Sequence, residues 1–305
     1  MIVIVCPGQG SQKPGFLEPW LESDDARSRL ADYSDAAGLD LAKHGTQSDA
    51  ETIKDTAVAQ PLIVAAGLLV LDALEQRDVL ARAGGIAGHS VGEITAAAGA
   101  GVLGVADAMA FVSERASAMA EAAKVVPTGM SAVLGGDPDD VVARAESLGL
   151  QPANYNGGGQ IVVAGELPAL ARLADAPPEK ARVMPLKVGG AFHTRYMNNA
   201  RDFLATQAES FSAADPHLRL WTNNDGSEVT DGVRFRDLLV TQVASPVRWD
   251  LCMDSFQTAG VTGVIEIAPA GALVGLARRG LKGIPTQVVN TPDDLDAAVE
   301  MITAA

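Results

Sequence analysis

Residues 84–93 read GGIAGHSVGE, which predicts a short strand of small residues (84–88) followed at once by a helix (90–103). Its centre, GHSVG (88–92), has the G-x-S-x-G spacing of a sharp strand-to-helix turn, because the two glycines let the backbone fold tightly. Such a turn exposes the serine at the helix N-terminus, where backbone N–H groups and the helix dipole favour developing negative charge. A glycine-rich turn with a serine N-cap is the alternative. The strand before the turn and the helix after it favour Ser90 as a nucleophile.

A serine hydroxyl is a weak nucleophile unless a base takes its proton, and the chain has four histidines. His89 is expected to point away from its neighbour Ser90, while His44 and His217 lie in polar, loop-like surroundings. His193 lies where an apolar strand breaks into small residues, GGAFHT (189–194), and such a position faces a cleft. We therefore favour His193 as the base over a buried core histidine. No acid stands out before His193, so a triad and a dyad with His193 oriented by a backbone carbonyl both stay open.

Outside this turn, strand and helix patterns alternate. Residues 1–6 form a short β-branched run closed by Pro7-Gly8, which predicts a buried strand. Helical apolar spacing covers 58–76, with Pro61 placed in the first turn, and also 105–124. Further strands are predicted at 219–223 and at 262–267, the second followed by a glycine-containing loop and a helix.

The pattern changes at Pro127-Thr128-Gly129. From there the predicted order is strand, helix, strand, strand, helix, strand, which is the ferredoxin-like arrangement. The ranges are 131–135, 137–148, 151–155, 160–164, 167–175 and 182–188. The sequence therefore predicts an α/β fold, with a large domain over 1–126 and 192–305 and an inserted α+β subdomain over 127–191.

Composition excludes several classes of protein. The formal net charge is −15 and aromatic residues make up 4% of 305 residues, so neither nucleic acid nor an anionic membrane surface is an expected partner. Two distant cysteines, Cys6 and Cys252, give no disulfide framework and fit a reducing compartment. The N-terminal apolar run lacks a basic flank, no segment approaches the roughly 20 apolar residues of a membrane span, and no metal-ligand spacing is present. We expect a cytoplasmic protein.

Five separate motifs match one family. They are PGQGSQ (7–12), AQP (59–61), GHSVGE (88–93), GAFH (190–193) and SPVRW (245–249). Together, in this order, they resemble the malonyl-CoA:acyl-carrier-protein transacylases of type II fatty-acid synthesis, and similar blocks occur in acyltransferase domains of polyketide synthases. The resemblance implies an α/β-hydrolase-like large domain with an inserted ferredoxin-like small domain. It also implies transfer of malonyl from malonyl-CoA to acyl carrier protein through a malonyl-serine intermediate.

The resemblance assigns roles to individual residues. It implies a Ser–His dyad in which His193 takes the proton of Ser90 and is held by a backbone carbonyl of the SPVRW segment, placed at Arg248. Many relatives have glutamine at the position of Arg248. The oxyanion hole is implied to be the backbone N–H groups of Gln9 and Val91. A dinucleotide-binding loop is the alternative for PGQGSQ, but Lys13 occupies the place of its third glycine.

Arg115 carries the argument for malonyl. It lies in mid-helix on the same face as Val112 and Met119, and a charge on a buried face is costly unless it is paired. An internal salt bridge or a snorkelling surface arginine is the alternative, whereas the resemblance implies that this arginine binds the free carboxylate of malonate. Val91 and Phe192 resemble malonyl-selecting members. Further pocket residues are expected to be Gln60 and Asn156, with Asn154 and Gln160 near the thioester.

The implied partner, acyl carrier protein, is acidic, as is this chain, so docking requires a local basic patch. Arg278, Arg279 and Lys282 form the best cluster, which Lys187 and Arg195 could extend; ordinary solvated charge is the alternative. We expect a monomer that needs no metal or bound cofactor, the phosphopantetheine being carried by the partner. A serine hydrolase or thioesterase, a malonyltransferase of polyketide synthesis, and a non-catalytic carrier-binding protein remain as alternatives.

Overall fold

The computed structural model describes residues 1–305 and contains two five-stranded sheets. The strands are β1 (Ile2–Cys6), β2 (Gly85–Gly88), β3 (Thr128–Gly135), β4 (Gln151–Gly157), β5 (Gln160–Glu166), β6 (Ala181–Pro185), β7 (Leu220–Trp221), β8 (Val247–Arg248), β9 (Gly263–Ile267) and β10 (Thr286–Val289). The α-helices are α1 (Asp24–Ala37), α2 (Leu41–Thr46), α3 (Thr56–Glu75), α4 (Gly92–Gly99), α5 (Val105–Ala123), α6 (Pro138–Ser147), α7 (Leu167–Asp175), α8 (Asn198–Gln207), α9 (Gly232–Gln242), α10 (Trp249–Thr258), α11 (Ala272–Gly280) and α12 (Leu295–Thr303).

The larger sheet is parallel, with the strand order β10-β9-β1-β2-β7. All five residues of β1 are buried, as expected for a strand covered on both faces by helices. Cys6 pairs with Gly88 at the carboxyl ends of β1 and β2, so the loops that follow these two strands leave the sheet side by side. Open parallel sheets bind their ligands at this edge.

The smaller sheet has the order β6-β3-β5-β4-β8. Its first four strands are antiparallel and are connected in the order strand, helix, strand, strand, helix, strand, which confirms the predicted ferredoxin-like unit. Strand β8 lies outside the predicted insert and pairs in parallel with β4, with Tyr155 opposite Arg248. The small sheet therefore continues into the large domain, and the exact boundaries at 127–191 stay a prediction.

Helix α3 differs from its prediction in two respects. Asp55 caps it by accepting a hydrogen bond from the N–H of Ala57, so the helix begins at Thr56 and Pro61 lies inside it. The prediction that Pro61 lies in the first turn was wrong. By length and composition α3 could also cross a membrane, contrary to the expectation that no segment approaches such a span. However, 78% of its most apolar window is buried within the protein, as in a core helix.

Candidate active site

Ser90 lies in a strained turn between β2 and α4. Its φ is +54°, in the left-handed region that side chains other than glycine rarely adopt. A Cβ on Gly88 would lie 2.0 Å from the carbonyl carbon of Gly92, and a Cβ on Gly92 would lie 2.1 Å from the carbonyl oxygen of Cys6. Glycine alone fits at both positions, so the motif is a packing requirement of this turn. Asn223 Oδ1 accepts a hydrogen bond from the N–H of Ser90 at 2.8 Å and secures the strained residue.

The structure brings Ser90 and His193 together. Ser90 Oγ lies 2.7 Å from His193 Nε2, and His193 Nδ1 lies 2.9 Å from the carbonyl oxygen of Gln242. Because a carbonyl only accepts hydrogen bonds, Nδ1 must carry the proton. Nε2 is then free to accept the proton of the Ser90 hydroxyl, as a general base must.

The C-terminus of helix α9 completes the arrangement of Ser90 and His193. Gln242 is the last residue of α9, and its carbonyl also accepts the N–H of Ser245 at 3.1 Å. The C-terminus of a helix carries partial negative charge and stabilises a neighbouring cation. Burial, with the nearby Arg115 charge, lowers the pKa of His193 to about 3, so the imidazole is neutral in the resting enzyme. The helix end faces the ring where positive charge forms during proton transfer.

Two backbone N–H groups next to the nucleophile have no acceptor in the protein. Gln9 and Val91 both border the cavity in front of Ser90, and neither N–H makes a hydrogen bond within the chain. The loop that holds Gln9 is tied down by its own side chain, which donates to the carbonyl of Lys54 at 3.1 Å, and by Gln12, which donates to the carbonyl of Ile53 at 3.1 Å. This geometry suits an oxyanion hole.

The cavity in front of the dyad has a volume of about 400 Å³ and lies between the two sheets. All the predicted pocket side chains border it: Gln60, Asn154, Asn156, Gln160 and Phe192. His89 turns away from Ser90 as expected, and its Nε2 lies 2.9 Å from Asn156 Oδ1. The cavity is therefore walled on one side by the turn around Ser90 and on the other by β4 and β5.

Arg115 is buried behind this cavity, with 1% of its surface exposed. It has no carboxylate within 4 Å; instead Nη1 donates to Gln60 Oε1 at 2.6 Å and Nη2 donates to Gln242 Oε1 at 2.7 Å. Burial lowers its pKa to about 10, which leaves it charged at neutral pH. Neither a salt bridge nor snorkelling accounts for this side chain. Because Gln60 borders the cavity, the guanidinium lies one hydrogen bond behind the cavity wall.

The chain is similar to known proteins over almost its whole length. Residues 3–299 match the acyl transferase domain family. The chain is 52% identical to the malonyl CoA-acyl carrier protein transacylase of Mycobacterium tuberculosis (strain ATCC 25618 / H37Rv) over 297 residues, which cover 97% of this chain and 98% of the relative. This chain belongs to the malonyl CoA-acyl carrier protein transacylase family.

Solved structures of the family have the same fold. The crystal structure of MCAT from Mycobacterium tuberculosis superposes with a TM-score of 0.95 at 51% identity, covering 98% of this chain and 99% of that one. A complex of a type II polyketide synthase acyl carrier protein with its malonyl-transacylase superposes with a TM-score of 0.92 at 29% identity, covering 98% and 99%. An α/β-hydrolase-like core with a small ferredoxin-like subdomain is thus confirmed. No group of three histidine, cysteine, aspartate or glutamate side chains in the chain could hold a metal ion.

One predicted residue of the transacylase site was wrong. Arg248 does not orient His193: its N–H donates to the carbonyl of Asn223, and its guanidinium pairs with Asp250 and lies over the ring of Tyr155. The carbonyl that orients His193 belongs to Gln242, because α9 ends next to His193. Arg248 instead lies in the small sheet, where β8 pairs with β4.

Three buried polar residues of the site were missed by sequence reasoning: Glu93, Asn223 and Gln242. Glu93 stood in the quoted motif, but nothing in the sequence shows that its carboxylate turns inward. Burial raises the pKa of Glu93 to about 7, against the lowering effect of hydrogen bonds from Asn223 and Gln242. For Gln242, the one sequence signal is its position as a polar residue at the end of a helix, just before SPVRW.

The predicted docking residues lie at the mouth of the cavity and beyond it. Arg278, Arg279 and Lys282 are exposed, and none of them forms an ion pair. Arg279 borders the active-site cavity and also borders, with Lys282, a groove on the outer surface. Lys187 and Arg195 are exposed as well. Unpaired positive charge therefore borders the cavity at Arg279 and continues along the outer groove to Lys282.

Proposed function

We propose that this chain transfers a malonyl group from malonyl-CoA to the phosphopantetheine thiol of an acyl carrier protein, through a malonyl ester of Ser90. The observation that carries the proposal is the position of Arg115, a buried guanidinium that has no carboxylate of its own and lies behind the cavity of a Ser–His pair. A general serine hydrolase has no use for such a buried charge.

In the first half-reaction, Ser90 Oγ attacks the thioester carbonyl of malonyl-CoA as His193 Nε2 takes its proton. The negative charge that forms on the carbonyl oxygen is stabilised by the N–H groups of Gln9 and Val91 and by the N-terminus of α4. The carbon–sulfur bond then breaks, and the proton on Nε2 passes to the departing thiolate of coenzyme A. The product is the malonyl ester of Ser90.

The second half-reaction runs the same steps in reverse with a different thiol. His193 Nε2 takes the proton of the phosphopantetheine thiol, whose sulfur attacks the ester carbonyl. The oxyanion is held by the same two N–H groups. The carbon–oxygen bond breaks, Ser90 recovers its proton from His193, and malonyl leaves as a thioester of the carrier.

Selection of malonyl rests on the charge of Arg115. The malonyl carboxylate replaces the Gln60 oxygen on Nη1, while Gln242 keeps its hydrogen bond to Nη2. A carboxylate on an otherwise unpaired buried guanidinium is a strong, charge-assisted contact that an acetyl group cannot make. Phe192 narrows the space beside the malonyl α-carbon and so disfavours a methyl substituent.

The partner is an acyl carrier protein that docks transiently on the basic residues of α11 and beyond it, Arg278, Arg279 and Lys282. Support comes from their exposure without ion pairs and from the relative crystallised with its acyl carrier protein. The enzyme acts as a cytoplasmic monomer that supplies extender units for fatty-acid synthesis and binds no resident cofactor. The same chemistry would serve a polyketide carrier, as in that relative.

The test is the mass of the intact protein after exposure to malonyl-CoA, followed by addition of a phosphopantetheinylated carrier. We expect one malonyl adduct, its loss to the carrier, and no adduct on Ser90→Ala. The control is Ser147→Ala, which removes an exposed hydroxyl that bonds only its own helix. An adduct that persists in Ser90→Ala, or none in the unmodified protein, would refute the proposal.

A further inference from the structure

Glu93 is a buried carboxylate that the steps above do not use. It lies in the first turn of α4, three residues after Ser90, with 1% of its surface exposed. Its Oε1 accepts a hydrogen bond from the N–H of Asn223 at 2.7 Å, and its Oε2 accepts one from Gln242 Nε2. Both of its oxygens are therefore committed to residues that border the catalytic groups.

The two hydrogen-bond partners of Glu93, Asn223 and Gln242, each bond a functional residue of the site. Asn223 secures the backbone of Ser90, as described above. Gln242 holds His193 through its carbonyl and Arg115 through its side-chain oxygen. The nucleophile, the base and the carboxylate-binding arginine are thus each one residue removed from a single carboxylate.

Chemistry fixes which way the Gln242 amide faces. Arg115 only donates hydrogen bonds, so it requires the amide oxygen, whereas the carbonyl of Ser90 and the ionised carboxylate of Glu93 only accept. The amide nitrogen must therefore face Glu93, and the amide oxygen must face Arg115. Of the two acceptors, only Glu93 is a side chain, because the other is the backbone carbonyl of Ser90.

We propose that Glu93 is a positioning residue for malonyl selectivity, which fixes the Gln242 amide so that its oxygen holds Arg115 in the orientation that binds the acyl carboxylate. This inference rests on the proposed function. It separates two tasks within Gln242: the backbone carbonyl orients His193 for any acyl group, and the side-chain oxygen, through Arg115, serves an acyl group that carries a carboxylate.

The substitution Glu93→Gln exposes this role, because it replaces one of two acceptor oxygens by a donor. The N–H of Asn223 belongs to the backbone and keeps the remaining oxygen. The new amide nitrogen then faces Gln242, whose amide turns its oxygen towards it and presents its own NH₂ to Arg115. The NH₂ of Gln242 and the guanidinium of Arg115 are both donors and cannot bond each other. Arg115 therefore loses the hydrogen bond that orients it.

The experiment measures single-turnover acylation of Ser90 by malonyl-CoA and by acetyl-CoA. For Glu93→Gln we expect kcat/KM for malonyl-CoA to fall about 10- to 100-fold, the effect of losing a hydrogen bond to a charged group, with acetyl-CoA changed about threefold or less. Gln242→Ala, which keeps the backbone carbonyl, should lower the malonyl-to-acetyl ratio to the same extent. The double variant should lower this ratio no further, because both changes break the same chain of hydrogen bonds from Glu93 through Gln242 to Arg115.

Glu266→Gln is the matched control. Glu266 is fully buried and accepts the N–H groups of Leu273 and Val274, but it has no contact with Arg115 or Gln242. It should lose stability and keep its malonyl-to-acetyl ratio. Equal losses for both acyl groups in Glu93→Gln, or additive losses of the ratio in the double variant, would overturn the inference. If Glu93→Gln does not fold, an unchanged malonyl-to-acetyl ratio in Gln242→Ala overturns the inference. Failure of the proposed function is recognised separately, by the lack of a malonyl adduct on the unmodified protein.

Discussion

The active-site cavity has positive charge at both ends, and the two ends differ in almost every physical respect. At the inner end, Arg115 is buried and is held by two neutral amide oxygens. At the mouth, Arg279 borders the cavity, and both Arg279 and its neighbour Arg278 are exposed on the last turn of α11 without an ion pair. The inner cation is held by hydrogen bonds inside the protein, whereas the other two are exposed to solvent.

The difference lies in the dielectric around each charge. A guanidinium removed from water interacts strongly with any charge that reaches it, so one correct carboxylate is strongly favoured over a neutral group. An exposed charge is screened by water and salt, so it attracts an acidic partner from a distance but distinguishes partners weakly. The inner end is suited to choosing the acyl group, and the mouth is suited to recruiting the carrier.

The largest effect is expected from Arg115→Ala, which removes the inner charge. Acylation of Ser90 by malonyl-CoA should fall about 10²- to 10³-fold, as when one partner of a buried charge pair is lost. Acylation by acetyl-CoA should be unchanged or faster, because an acetyl group never contacts the arginine. Rapid-quench measurement of both rates checks this prediction.

Arg115→Lys is the companion variant. A lysine keeps the charge but has no planar fork with which to hold Gln242 and a carboxylate together, so most of the malonyl rate should still be lost. If malonyl-CoA turnover survives in Arg115→Ala, the arginine does not bind the substrate carboxylate.

The two ends also differ in how far the sequence alone could predict them. Ser90 and His193 could be located because their chemistry imposes local patterns: glycines that a tight turn requires, and small residues that open a cleft. Arg115 could be predicted as a functional residue because a charge on an apolar helix face is costly unless it has a partner. Each of these signals lies within a few residues of the functional group.

What the sequence could not predict depends on contacts between distant segments. Gln242 reaches His193 only because α9 ends beside the loop at 190–194, and the carbonyl was therefore misplaced by six residues at Arg248. Glu93 was visible in the motif, but the inward direction of its side chain follows from packing against Asn223 and Gln242. Buried polar networks of this kind join segments 49 to 149 residues apart, and no local pattern marks them.

An intermediate effect is expected from the pH dependence of stability at the buried end. The pKa of His193 is about 3 in the folded protein, against 6.5 for an ordinary histidine, so below pH 6.5 the unfolded chain binds a proton that the folded chain refuses. This group therefore contributes a loss of stability as pH falls, about 2 kcal/mol between pH 8 and pH 5. In His193→Gln this loss should be absent.

The measurement is the free energy of unfolding in urea at pH 8 and pH 5 for both proteins. The titrating groups far from His193 contribute equally in both proteins, so the difference between the two pH dependences reports on His193 and the groups coupled to it. His44→Gln, which alters a histidine outside the site whose ring hydrogen-bonds Ser48, serves as the control and should follow the unmodified protein. Parallel curves for His193→Gln and the unmodified protein would mean that folding does not lower the pKa of His193.

The smallest effect is expected at the mouth. Reversing both Arg278 and Arg279 to glutamate should raise KM for the carrier protein about 3- to 10-fold, the size typical of exposed charges, and leave kcat/KM for malonyl-CoA in the first half-reaction nearly unchanged. The matched control is Arg82→Glu with Arg234→Glu, which changes the net charge equally at exposed positions that border neither the cavity nor its outer groove.

Salt separates the two ends of the cavity most directly. At about 1 M salt the screening length falls to roughly 3 Å, so the unmodified protein and the charge-reversed variant should converge in KM for the carrier. The loss of malonyl transfer in Arg115→Ala should persist at the same salt concentration, because ions do not reach a buried guanidinium. If the charge-reversed variant remains impaired at high salt, or if malonyl-CoA is affected as much as the carrier, then α11 contacts the coenzyme rather than an acidic protein surface.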